Sequence, residues 1–268
     1  MKSVPFIIVA IILYAGMSYA QIVKSIQAEG ACAIVGMSAE QCQLTALQRA
    51  RASAIEQAAG MSVASSTLVT NMALTAEFIK SYSKGFIVKE KVEWLPVGQY
   101  RENPSTPPIV EYRVKIIADI KVPEPKINPI GLTAKTNAVL YKAGDKAVIE
   151  ISALREAKAA IFNITADDRV IMLFPNEHDK DNLISENGRL IYPVKDSKAA
   201  IEMHTLPGHK RDAEAFFIAA MDSGHKRKFT DLFKPSQPMS FGAFFKKYSE
   251  IADYCEDVIL TYEVVGEE

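Results

Sequence analysis

The stretch AKAAIFNITADDRVIMLFP, residues 157–175, decides the fold class of this chain. Two apolar segments flank Asp167-Asp168, and adjacent aspartates favour a turn because their side chains bond nearby backbone groups. The second segment, Val170 to Phe174, runs into Pro175 and then a polar loop, NEHDKDN. Working outward, AVLYKAGDKAVIEISAL (138–154), GRLIYPV (188–194), AAIEMHTLP (199–207) and AEAFFIAAMD (213–222) are equally short and punctuated by Gly, Pro and Asp. Such spacing predicts an antiparallel sandwich or barrel. One helix interrupts it. SFGAFFKKYSEI (240–251) has Ser240 as cap and places Phe241, Phe244, Phe245, Tyr248 and Ile251 on one face, to lie against the sheet. EDVILTYEVV (256–265) supplies a last strand.

The N-terminal half has a different rhythm. After a short strand near residues 23–27, SAEQCQLTALQRARASAIEQAAG (38–60) reads as a helix, with Ser38 and Gln41 forming a capping box and Gly60 at its C-terminal cap. Leu44, Leu47, Ile55, Ala58 and Ala59 form a narrow, small-residue stripe that predicts close packing on a sheet. An extended segment (61–69) and a second helix (71–85) follow. FIVKEKVEWLP and EYRVKIIADIKV alternate with period two around a Pro-rich connection, as an antiparallel hairpin does. PEPKINPIGL (123–132) reads as a linker. The expected class is therefore α+β. An α+β domain with helices on a small antiparallel sheet spans 21–122, and a mainly antiparallel sandwich-like domain with one C-terminal helix spans 133–268.

Lys2, the apolar run Val4 to Ala15, and Ser18-Tyr19-Ala20 have the layout of a secretory signal peptide cleaved after Ala20. The expected location is periplasmic or secreted, with no transmembrane segment after cleavage. Loss of Lys2 turns 31 basic residues into 30, against 32 acidic ones. A chain so near neutrality has no electrostatic basis for binding nucleic acid. The one basic run, His225-Lys226-Arg227-Lys228, reads as a solvated loop. Cys32 and Cys42 flank a short segment of an exported chain and are expected to form a disulfide. Closing that loop would stabilise by roughly 3 kcal/mol in the chain-entropy model. Cys255 is left as a small apolar residue.

Chemistry is sparse. The chain contains no G-x-S-x-G, H-E-x-x-H or Gly-rich phosphate loop, and its four histidines follow no metal-ligand spacing. The polar loop holds Glu177, His178, Asp179, Asp181 and Asn182, oxygen-rich enough to crowd around a cation, but it lacks the glycine and terminal glutamate of an EF-hand. It reads first as a structural loop, with a partner contact or weak cation site as the alternative. Trp94, inside a strand pattern, reads as a core residue.

Two resemblances follow from these motifs. Ala28-Glu29-Gly30, the Ala/Arg-rich helix 46–60, Ser83-x-Gly85 and Tyr112-x-Val114 resemble the N-terminal domain of flagellar assembly protein T (FlgT) and related lipoprotein-type envelope domains. Gly144-Asp145, Leu173 to Asn176 and Asp181 to Ile184 resemble a bacterial domain of unknown function found in exported proteins. Together they imply a non-enzymatic envelope protein that binds or assembles with other envelope proteins, or with itself, in a flagellar or secretion setting. No cofactor is implied. The alternatives are a small-ligand or glycan-binding module and, behind it, a cation-dependent hydrolase.

Overall fold

The computed structural model describes residues 21–60, 81–82, 84–101, 103–123 and 129–266. The signal segment, the expected extended segment 61–69, most of the expected helix 71–85 and the centre of the Pro-rich linker lie outside the described residues.

The N-terminal layer contains β1 (Gln21–Ala33), α1 (Ala39–Ala58), β2 (Phe86–Trp94), β3 (Gly98–Tyr100) and β4 (Ile109–Val122). The strands form one antiparallel sheet of order β1-β4-β2, with β3 also on β4. The expected hairpin is thus present as β2–β4. Helix α1 starts where the capping box placed it. The Gln41 backbone N–H donates to Ser38 Oγ at 3.1 Å, and the Gln41 side chain accepts from the Ser38 N–H at 3.0 Å. Gly60, with φ +72°, follows its last turn.

The buried face of α1 differs from the expected stripe. Cys42, Ala46, Ala50 and Ala54, spaced by four, are buried together with Arg51 and Ile55, whereas Leu44 and Leu47 are only half-buried. Gly30 on β1 explains the shift. A Cβ there would lie 2.0 Å from the Ala46 carbonyl oxygen and 2.6 Å from the Ala50 nitrogen. The helix backbone rests directly on the strand, and only an alanine-sized face fits such an approach.

The remaining chain is mainly β. Its large sheet has the order β15 (Met239–Ser240), β10 (Arg169–Phe174), β9 (Ala157–Ile164), β14 (Arg211–Asp222), β16 (Cys255–Val265) and β6 (Leu140–Lys142), with β11 (Leu183–Ile184) also on β9. A smaller sheet is ordered β12 (Gly188–Tyr192), β8 (Ile149–Ala153) and β5 (Thr133–Thr136), and β13 (Ile201–Glu202) pairs with β7 (Lys146–Ala147). The β16–β6 pair is parallel; the others are antiparallel.

The large sheet is buried on both faces. Ile161, Phe216 and Ile218 join the core beneath the small sheet, while Phe162, Phe217 and Ala219 join a second core with α1, the first sheet and α3 (Phe241–Tyr248). Double burial explains why β14 reads as an uninterrupted apolar run rather than an alternating one. The aromatic face predicted for α3 is entirely buried: Phe244 packs on Phe162 at 4.8 Å between ring centroids and on Phe217 at 5.4 Å. A single turn, α2 (Phe229–Leu232), adds Phe229 to the same cluster.

This second core crosses the boundary expected at 123–132, because it contains residues from Ala28 to Cys255. The C-terminal end of the expected linker is held to the large sheet. The consecutive N–H groups of Ile130, Gly131 and Leu132 all donate to the Glu256 carboxylate on β16, the latter two at 3.0 Å. Among the described residues, no helix is long and apolar enough to cross a membrane.

Candidate functional site

Where α1 meets the sandwich, the seam has a closed part and an open part. Arg51, buried on α1, closes it. Its guanidinium grips Glu90 of β2 with bonds of 2.6 and 3.0 Å and reaches Asp168, in the β9–β10 turn, at 2.9 Å. It also lies 5.9 Å above the Phe241 ring. Burial alone lowers the Arg51 pKa, but the Glu90 hydrogen bonds and the surrounding negative charge override it and hold the group firmly cationic. The Asp168 pKa is raised too, which for a carboxyl disfavours the charged form. Burial raises its pKa, and Glu90 on the same guanidinium adds to the rise that Arg51 only partly offsets. Asp168 Oδ1 is buried and has no hydrogen-bond partner among the described residues, consistent with a carboxylate that is incompletely compensated.

Above this closure the seam opens into a cleft of about 820 Å³. One wall is the α1 stripe Gln41, Leu44, Thr45 and Gln48, adjacent to the sheet-facing stripe. The other wall combines residues 164–168, around the β9–β10 turn, with residues 208–213, leading into β14. His209 lies on that second wall. Its Nδ1 is 2.6 Å from Oδ1 of Asp212, which is buried and also takes the Leu206 N–H on Oδ2 at 2.5 Å. The Asp212 carboxylate can only accept, so the His209 Nδ1 carries a proton and donates to it. The Gln41 amide nitrogen lies 3.4–3.5 Å from the ring nitrogens.

The hydroxyls lining the cleft are already engaged. Ser38 Oγ accepts the helix cap, Thr45 Oγ1 donates to the Gln41 carbonyl at 2.8 Å, and Thr165 Oγ1 donates to Asp167 at 2.5 Å. A nucleophile–base pair needs its hydroxyl on the base; here these hydroxyls point to helix and turn partners instead.

The loop singled out from sequence is built differently. Asn176 Oδ1 accepts the N–H groups of His178 and Asp179, both at 2.8 Å. Its Nδ2 donates to the Leu173 carbonyl and the Tyr192 hydroxyl. Asp179 is buried and accepts from Ser197 Oγ at 2.5 Å, Asp181 accepts the Leu183 N–H, and Asn182 exchanges hydrogen bonds with Ala159. Asp179, Asp181 and Asn182 are thus spent on separate turn and strand contacts, while the Glu177 and His178 side chains face solvent. Among the described residues, no group of three or more His, Cys, Asp or Glu is placed to hold a metal ion.

Two further expectations are corrected. Cys32 and Cys42 are not joined in this structure; they are separate buried thiols, and Cys42 Sγ donates to the Cys32 carbonyl at 2.9 Å. Burial pushes the Cys32 thiol up to about 12, helped by its hydrogen bond with Cys42, and raises Cys42 as well. Trp94 is not a core residue. It is 46% exposed, and Val92 two residues before it is exposed too, at the end of β2, an edge strand of its sheet.

The cleft itself was missed in the sequence. Its walls come from segments more than 100 residues apart, and its histidine carries no local motif. Asp168 was read correctly as a turn residue, but its partner Arg51 lies 117 positions away.

The comparisons bear on the second half of the chain. Residues 140–211 match the family model described as Domain of unknown function (DUF4384). The match covers Gly144-Asp145, the Leu173 to Asn176 run and Asp181 to Ile184, the residues on which that resemblance rested. It also includes the β9–β10 turn and His209 of the cleft. No curated protein matches the chain.

Proposed function

We propose that this protein is a non-enzymatic binding module of the cell envelope that takes its target in the seam cleft. The observation that carries the reading is a preformed concavity, within the usual range of about 300–1,000 Å³ for ligand sites. Its walls are held by the Arg51–Glu90–Asp168 closure and by the Asp212–His209 pair. Export is supported by the signal-like segment Met1 to Ala20. The N-terminal resemblance makes flagellar or secretion components one class of neighbour. Crosslinking in intact cells, with wild type beside a Leu44→Trp variant that fills the cleft, tests the proposal. Wild type should be linked to envelope components that the variant loses; identical crosslinks would remove the cleft as the recognition site.

A second reading has its own observation. The single tryptophan, Trp94, is presented on an edge strand with exposed Val92 two residues before it, and exposed tryptophan is typical of protein–protein contact centres. In that case Trp94→Ala, rather than Leu44→Trp, would abolish the crosslinks.

A further inference from the structure

The side chains lining the cleft point to its ligand class: we propose that it binds an uncharged, hydroxyl-rich ligand, a sugar unit of an oligosaccharide. This inference rests on the cleft being the recognition site. The first argument is charge. Asp168 is held by Arg51, Asp212 by the Leu206 N–H and His209, and Arg211 by Glu263. Lys210 remains, exposed on the rim. The walls thus lack the convergent cations an anionic ligand demands, and the one unpartnered carboxylate oxygen, Asp168 Oδ1, is buried beside Arg51 rather than open to a cationic ligand.

The second argument is the kind of hydrogen bonding on offer. Gln41 and Gln48 stand two turns apart on one stripe of α1; the Gln48 amide presents both a donor and an acceptor, while the Gln41 amide oxygen already takes the Ser38 N–H and its nitrogen is left to donate. Thr45 lies between them. Its hydroxyl proton is committed to the Gln41 carbonyl, so its oxygen is left to accept. Across the cleft, the His209 ring adds a further polar edge, with its Nδ1 proton committed to Asp212. Alternating donors and acceptors of neutral type match vicinal hydroxyls, which both donate and accept. The third argument is the apolar surface between them. Leu44 and Ala213 line the same cleft and suit the C–H face of a pyranose ring.

The test uses the full mature chain, titrated with N-acetylglucosamine trisaccharide, maltotriose and trigalacturonate, and followed by calorimetry and amide NMR shifts. At least one neutral trisaccharide should bind saturably, with shifts at Gln41, Thr45, Gln48 and His209. Gln48→Ala, on a half-buried helix position where alanine is well tolerated, should weaken binding about tenfold, equivalent to about 1.4 kcal/mol. Leu44→Trp should abolish it. Tighter binding of trigalacturonate, or saturable binding that neither variant disturbs, would overturn the proposal. If neutral sugars give no saturable signal while the cell crosslinks still depend on Leu44, the ligand class is wrong and the cleft reading stands. If both fail, both fall.

Discussion

Replacing Gly30 by alanine puts a methyl group 2.0 Å from the Ala46 carbonyl oxygen and 2.6 Å from the Ala50 nitrogen, where ordinary contact begins at 3.4 Å. Both obstacles are backbone, so no side-chain rotation relieves them. Helix α1 must withdraw by more than an ångström. A radial gap of 0.5–1 Å already forfeits roughly a quarter to a half of the dispersion well, and the loss here runs along Cys42, Ala46, Ala50 and Ala54. The same withdrawal pulls Arg51 from Asp168, now 2.9 Å away. Overpacking of this kind costs about 1–3 kcal/mol and occasionally more; the two backbone collisions place Gly30→Ala at about 3 kcal/mol. For a chain of this size that lowers Tm by roughly 6–12 °C. The assay is urea unfolding, followed by circular dichroism and by Trp94 fluorescence. Gly60→Ala is the control. Its φ, unlike that of Gly30, is positive, but a Cβ there meets nothing within 4 Å among the described residues, so it should cost only the left-handed strain of about 1–2 kcal/mol. If Gly30→Ala loses less than the control, the close helix–strand approach is not what selects the alanine face.

Arg51→Ala leaves two carboxylates buried around a vacated guanidinium and should destabilise by about 3–5 kcal/mol; a loss below about 1 kcal/mol, read from the same urea curves, would mean the closure is open to water. The raised carboxyls give stability a defined pH slope. Burial lifts Asp168 above its ordinary 3.8 and Glu214 above 4.5, so in that window the folded state holds more protons than the unfolded state. Their contribution is therefore largest on the acid side and is lost as pH rises towards the folded values. Asp168→Asn tolerates the positive φ of 63° and keeps an acceptor for Arg51. It should flatten that fall above the ordinary 3.8 of Asp168, and a slope unchanged from wild type would remove Asp168 as its source. Finally, alkylation of Cys32 and Cys42 should be slow in the native state and fast in denaturant, because burial raises both thiols. Rapid native labelling at neutral pH would contradict the buried geometry.

Much of the architecture was legible because it depends on short-range rules. The Ser38–Gln41 capping box is a contact between residues three apart, and the β2–β4 hairpin follows from alternation. The aromatic stripe of α3 is a matter of helical spacing. The strands matched to the family of unknown function are separated by Gly, Pro and Asp turns that declare themselves locally. The polar loop at 176–182 was legible in part: its abundance of oxygen was visible, but not that Asn176, Asp179 and Asp181 already accept hydrogen bonds from its own backbone or from Ser197.

The features that bear on function were decided by tertiary structure. Which face of α1 is buried depends on how closely Gly30 lets the helix approach, and helical periodicity alone cannot distinguish an alanine stripe from the neighbouring leucines. Whether Trp94 is core or surface depends on its place at the end of an edge strand. Arg51, Glu90 and Asp168 meet across 117 residues of sequence, and the cleft exists only because α1 and the sandwich are sealed there and not above. The sequence by itself determined the elements, since hydrogen-bonding pattern and periodicity act within a few residues. Only the tertiary structure decided the site, since charge pairing and cavity shape are set by which distant surfaces are brought into contact.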